Sequence, residues 1–156
     1  MKLKPLDHVS LAVADIDRSL AFYGAAFGYE LAFIERDMAK EIRSMTGMEH
    51  LTCHLAQMAR ADGGPRLELI EFRHHELAAQ PLPLTAGCGH VAFSVDDLDD
   101  ALRQAVSAGA QPLGSITSFP EGRSTYCRAP GGSFFELLEM NGTVPADRPF
   151  LKDGNR

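Results

Sequence analysis

Positive charge is in short supply. Fifteen Lys and Arg stand against 21 Asp and Glu, a formal charge of −6. Nucleic-acid binding needs clustered basic side chains against phosphates, and no basic run occurs, so nucleic acid is excluded as a partner. Long apolar runs are also missing, and no segment approaches the ~20 residues that cross a bilayer. Met1-Lys2-Leu3-Lys4-Pro5 has no apolar stretch behind its charges, so no secretory signal is expected. Cysteine is sparse. Cys53, Cys88 and Cys127 are odd in number and form no close pair, which suits reduced thiols better than a disulfide framework. A cytoplasmic protein is the expectation.

What the chain does have is enough apolar material for a core. Forty-five per cent of 156 residues are apolar, which fits one domain over 1–156. Within it the sequence repeats. His8-Val9-Ser10-Leu11-Ala12-Val13-Ala14-Asp15-Ile16-Asp17-Arg18-Ser19-Leu20 matches 90–102 at an offset of 82, with six of thirteen positions identical. Gly63-Gly64-Pro65-Arg66-Leu67-Glu68-Leu69-Ile70-Glu71 matches 131–139 at an offset of 68. The difference of 14 locates an insertion in the first half.

Each half reads as strand, helix and three strands. Residues 6–14 and 89–95 alternate as half-buried strands. Asp15 and Asp97 are placed to cap the helices that follow. Ile16, Leu20, Tyr23 and Phe27, then Leu98, Leu102 and Ala105, form their apolar faces. Gly28 and Gly109 stop them. Strand-like runs follow at 29–35, 50–59 and 66–73, and again at 111–118, 123–129 and 133–140. The expected class is α+β, two βαβββ modules: module one 6–73, linker 74–86, module two 87–140 and tail 141–156. The tail is expected on the surface or at a dimer contact. Met38, Ile42 and Met45 place a short helix in the insertion near 37–47, as packing or as a wall over a pocket.

Strand parity selects four residues. Residues two apart share a face, so Val9, Leu11 and Val13 turn to the helix and His8, Ser10 and Ala12 turn away. The same rule groups His90, Ala92 and Ser94, and sets Glu68 and Glu136 opposite Leu67, Leu69, Phe135 and Leu137. A lone strand histidine is usually structural, but one His and one Glu at repeat-equivalent places in both modules is a different pattern. Buried carboxylates without a cation are costly. Two imidazoles and two carboxylates suit one divalent ion, Zn²⁺, Ni²⁺, Co²⁺, Fe²⁺ or Mn²⁺, with His8, Glu68, His90 and Glu136 as ligands. Arg123 and Arg128 flank a strand as candidate anion binders, and solvated strand-end charge is the plainer role. His50 and His54 are read as sharing a face of the third strand, as pocket lining or as packing. Tyr126 is a candidate donor to a substrate oxygen, or a packing residue. His74 and His75 open the linker.

These segments resemble the vicinal oxygen chelate superfamily, the glyoxalase, bleomycin-resistance and extradiol-dioxygenase group. The resemblance covers about 6–140. It rests on Leu6-Asp7-His8-Val9-Ser10-Leu11-Ala12-Val13, Ser19-Leu20-Ala21-Phe22-Tyr23, Gly89-His90-Val91-Ala92-Phe93-Ser94-Val95 and Ala129-Pro130-Gly131-Gly132-Ser133-Phe134-Phe135-Glu136-Leu137. It implies paired modules whose eight strands curve round a metal-centred cavity. His8, Glu68, His90 and Glu136 match the His/Glu/His/Glu ligand form of glyoxalase I enzymes. Methylmalonyl-CoA epimerases typically carry Gln at the place of Glu68. Dioxygenases and fosfomycin-resistance transferases use only the places of His8, His90 and Glu136, and bleomycin-binding proteins lack the set. Ile70-Glu71-Phe72-Arg73-His74-His75 has no Asn of the glyoxalase I kind, and Arg43-Ser44-Met45-Thr46-Gly47 is closer to glyoxalase-related lyases of unassigned substrate. The resemblance implies a lyase or isomerase acting through an enediolate on a small substrate with vicinal oxygens. Glu136 would be ligand and principal base and Glu68 its symmetry partner. An extradiol-type dioxygenase and a non-catalytic antibiotic-binding protein are the alternatives. A homodimer is implied, with the ligands coming from one chain or from two.

Overall fold

The computed structural model describes residues 7–73, 87–119 and 122–141. The expected linker, with His74 and His75, and the tail beyond Asn141 lie outside the described residues. The first module runs β1 (His8–Ala12), α1 (Ile16–Phe27), β2 (Glu30–Met38), α2 (Lys40–Thr46), β3 (Thr52–Ala59) and β4 (Arg66–Arg73). The second runs β5 (Val91–Ser94), α3 (Leu98–Ser107), β6 (Gln111–Pro112), β7 (Thr117–Phe119), β8 (Gly122–Arg128) and β9 (Phe134–Met140). Each forms its own sheet, in the order β1-β4-β3-β2 and β5-β9-β8-β6, with β7 also on β8. The architecture is α+β, as expected. The run at 111–118 is two short strands, interrupted at Leu113-Gly114-Ser115, so the described strands number nine rather than eight.

Both predicted caps form. Asp15 accepts from the Arg18 amide and Asp97 from the Asp100 amide, each at 2.9 Å. The left-handed Gly28, at φ 66°, closes α1. The helix-facing residues of both sheets share one core, in which Leu11, Val13, Leu67 and Leu69 join Phe93, Phe135 and Leu137 round Tyr23 and Phe22. The buried face of α1 is centred on Ile16, Ser19, Phe22 and Tyr23, with Leu20 and Phe27 at its margin. Aromatic rings hold the helix to the second module: Phe27 stacks on Phe93 at 3.9 Å between centroids, and Phe22 lies tilted 5.4 Å from Phe135.

The modules also interlock by polar contacts. The Ala14 amide donates to the Gly131 carbonyl at 2.9 Å, and the buried Tyr23 hydroxyl meets Ser133 Oγ at 2.9 Å. Burial pushes the Tyr23 hydroxyl up to about 12, so it stays protonated as a hydrogen-bonding group. Gly131 lies so close to Ser19 that a Cβ there would stand 1.7 Å from Ser19 Oγ.

The insertion is a helix and packs on the first sheet's other face. Ile42 and Leu51 join Cys53 in a second small core, with Met38, Leu55, Ile70 and Phe72 packed against it. Parity puts Cys53, Leu55, Ile70 and Phe72 on the same face as Glu68, so α2 packs on that face. Cys53 and Cys127 are fully buried, and burial pushes both thiols up, Cys127 to about 11. Neither is a ready nucleophile.

Candidate metal centre

The alternation read from sequence holds in three dimensions. In the parallel pairing of β1 with β4, Ser10 stands opposite Glu68, and in that of β5 with β9, Ala92 stands opposite Glu136. A small residue beside each carboxylate leaves room for the preceding histidine to lean across. His8 Nε2 lies 3.5 Å from Glu68 Oε1, and His90 Nε2 lies 3.3 Å from Glu136 Oε2. The pairs are alike in burial. The histidine side chains are 36% and 35% exposed, the carboxylates 11% and 16%.

The spacing suits a divalent ion. Two donor atoms each about 2.1 Å from one cation, at tetrahedral or octahedral angles, stand roughly 3.0–3.4 Å apart. Both pairs fall at or just beyond that range, and imidazole plus carboxylate is an appropriate donor set. The two pairs do not converge within the chain. Among the described residues, no group of three or more His, Cys, Asp or Glu is placed to hold an ion.

What surrounds the pairs differs. In the first module His8 Nδ1 faces Asp7 Oδ1 at 2.9 Å, Arg66 reaches Asp7 at 3.4 Å, Arg66 donates to Gln57 Oε1 at 2.9 Å, and Gln57 Nε2 donates to Glu68 Oε2 at 3.1 Å. With the His8–Glu68 contact these links close a ring. The His8 hydrogen bond, helped by the Arg66 charge, holds the Asp7 carboxyl below the usual carboxylate range. The repeat offsets put Gly89 where Asp7 stands and Phe134 where Arg66 stands. Register puts Tyr126 opposite Glu136 just as Gln57 is opposite Glu68. The second pair therefore has an aromatic setting. Tyr126 meets the His90 ring edge to face at 4.8 Å, and burial plus the Glu136 charge raise its hydroxyl above the usual phenol value. Beside His90 lies a groove of about 630 Å³ walled by Leu113, Thr117, Phe119, Ser124 and Tyr126.

The remaining candidates separate. Tyr126 lies beside the second pair. Arg123 does not, because it is on the opposite, helix-facing side. Its guanidinium is engaged by Glu139 at 2.7 Å and Asp99 at 2.9 Å, and these carboxylates raise its pKa. Arg128 lies over the Phe134 ring, 5.2 Å from its centroid, and borders a separate pocket with Arg18 and Gln111. His54 is buried on the helix side of β3, where its Nδ1 accepts from the Asp37 amide at 3.0 Å and Nε2 lies 3.2 Å from Arg73. It thereby holds the irregular end of β2, where Asp37 adopts φ 55°. His50 precedes β3 and does not share its alternation.

Two carboxylates that the sequence pattern does not single out hold the helix N-termini. Glu71 accepts from the first amide of α1, Ile16, at 2.9 Å, and Glu139 accepts from the first amide of α3, Leu98, at 2.7 Å. They sit at the positive ends of the helix dipoles. The signal was present as Glu68-Leu69-Ile70-Glu71 and Glu136-Leu137-Leu138-Glu139. A spacing of three in a strand sends the first glutamate to one face and the second to the other.

Paired βαβββ modules, each with its own sheet and a helix on one face, define the class of fold. A family model described as the Glyoxalase/Bleomycin resistance protein/Dioxygenase superfamily matches residues 5–137, and the chain belongs to that family. It is 24% identical over 155 residues to a lactoylglutathione lyase of Schizosaccharomyces pombe, covering 93% of this chain and 50% of that protein. It is 30% identical over 142 residues to an iron-dependent extradiol dioxygenase of Rhodococcus jostii, covering 85% and 42%. The chain thus spans about half the length of these curated relatives. A solved glyoxalase family protein from Bacillus cereus superposes with a TM-score of 0.78 at 25% identity, over 91% of this chain and 97% of that one.

Proposed function

We propose that the chain is a divalent-metal-dependent lyase or isomerase of glyoxalase type, acting on a small substrate that offers two neighbouring oxygens. The observation that carries this reading is the pair of repeat-equivalent His–Glu contacts, at 3.5 and 3.3 Å. Because the two pairs stand apart within one chain, His8 and Glu68 of one copy are proposed to meet His90 and Glu136 of a second copy. Exposed Phe33, Phe119, Leu113 and Tyr126 are apolar surface that such a partner would cover.

A bound divalent ion would polarise the two substrate oxygens as a Lewis acid and so acidify the neighbouring C–H. The chain's own residues do the rest. Glu136 takes the proton from carbon and returns it, which requires a carboxylate within hydrogen-bond reach of that carbon. His90, with the Tyr126 ring against it, stands beside Glu136 as the second module's other proposed ligand. Leu113 and Phe119 shield the groove from water. Glu68 is the residue that favours this reading over dioxygenase chemistry, where a fourth protein ligand is unneeded. The dioxygenase reading is kept by the 30% identical relative.

The test is metal content after metal-replete expression, then exchange of the carbon-bound protons of hydroxyacetone in D₂O, followed by NMR with and without chelator. About one ion per two-pair centre, exchange abolished by EDTA and a loss of about 10²–10⁴-fold in Glu136→Gln are expected. A protein that takes up no ion sinks the proposal. Tightly held iron with substrate-dependent O₂ consumption moves the assignment to the dioxygenase.

A further inference from the structure

The two carboxylates are symmetric in sequence but not in restraint. The Gln57 amide donates to Glu68 Oε2 at 3.1 Å and leaves Oε1 facing His8 Nε2, and Gln57 is itself held by Arg66. Glu136 Oε2 faces His90 Nε2 at 3.3 Å, and among the described residues no side-chain amide donates to this carboxylate. The residue matching Gln57 is Tyr126, whose ring lies against His90. A carboxylate that accepts a hydrogen bond from the neighbouring strand keeps one orientation. A carboxylate without that donor pivots about its side-chain torsions.

We infer that Gln57, backed by Arg66 and Asp7, is the positioning residue that makes Glu68 the fixed member of the carboxylate pair and leaves Glu136 the mobile one. Asp7 does for His8 what Gln57 does for Glu68. Its carboxylate on Nδ1 selects the tautomer that presents the Nε2 lone pair and raises the basicity of the ring. The first module is thus the permanent half of the centre, and the second is the half that yields to substrate. Gly89, with no side chain to orient His90, and Phe134, with no charge, agree with that division. The inference rests on the metal reading above.

The test is the apparent Zn²⁺ or Co²⁺ affinity of the full chain, by competition with a chromophoric chelator at one pH. Gln57→Leu is expected to weaken binding about 10–100-fold, the range seen when a residue orienting a metal ligand is lost. Asp7→Ala falls in the same range. Asp7→Asn, which keeps a carbonyl acceptor for Nδ1, lies between it and the parent. Tyr126→Leu, which removes the ring from His90, weakens binding less than Gln57→Leu does. Circular dichroism of the metal-free proteins establishes that each variant folds, and exposed Asp7 carries the test if Gln57→Leu does not. A parent protein that binds no ion defeats the metal reading itself. A parent that binds, with Gln57→Leu and Asp7→Ala binding equally well, overturns the positioning role alone. Equal losses in Gln57→Leu and Tyr126→Leu overturn the asymmetry.

Discussion

Replacing Gly131 by alanine tests how the two modules are locked. The new Cβ would stand 1.7 Å from Ser19 Oγ, 3.1 Å from Ser19 Cβ and 3.3 Å from the Asp15 carbonyl. Ser19 is fully buried, and its hydroxyl donates to the Asp15 carbonyl at 2.7 Å, so turning it away forfeits a hydrogen bond. The Gly131 carbonyl accepts from Ala14, so the turn does not retreat freely. Overpacking of about 1–3 kcal/mol and a lost hydrogen bond of about 1 kcal/mol give a destabilisation of about 2–4 kcal/mol. For a chain of this size that is a fall in Tm of roughly 4–16 °C. Urea unfolding of Gly131→Ala, Ser19→Ala and the double variant is the assay. Ser19→Ala alone costs about 1 kcal/mol, yet it removes the nearest atom in the clash. The double variant should therefore be more stable than Gly131→Ala, with a coupling of about 1–3 kcal/mol. Additive single and double variants would refute the argument that this contact sets the docking of the modules.

His54→Ala should cost about 1–3 kcal/mol by leaving the Asp37 amide without its acceptor, while metal affinity stays at the parent value; chelator competition beside thermal unfolding checks both. Stability should also fall on acidification. The Glu139 carboxyl is held below its ordinary 4.5, first by Arg123 and then by the Leu98 amide, and the Asp7 and Asp17 carboxyls are held below 3.8 by His8 and Arg36. A group depressed in the folded state stabilises above its unfolded pKa, and that contribution disappears as pH falls through the folded value. A Tm series from pH 6 to 2 should show the loss beginning near 4.5, with a shallower slope in Glu139→Gln. An unchanged slope would remove Glu139 from the account.

Sequence by itself determined the duplication, the helix caps at Asp15 and Asp97, and the face on which each candidate ligand stands. These are local properties. A strand turns its side chains by a period of two wherever it pairs, so the parity that set His8 apart from Leu11, or Glu136 apart from Leu137, needed no knowledge of neighbours. Tertiary structure decided whatever depends on which strand lies alongside and in what register. That brought Gln57 against Glu68 but Tyr126 against Glu136, and so made two equivalent carboxylates unequal. It turned Arg123 and His54 from the ligand faces toward the helix ends, where Glu139 and the Asp37 amide meet them. It laid α2 on the face of the first sheet that carries Glu68, through Ile42. It also kept the two His–Glu pairs apart within the chain, because the modules dock through α1 and the Gly131 turn into one core, with the pairs on the other side of each sheet.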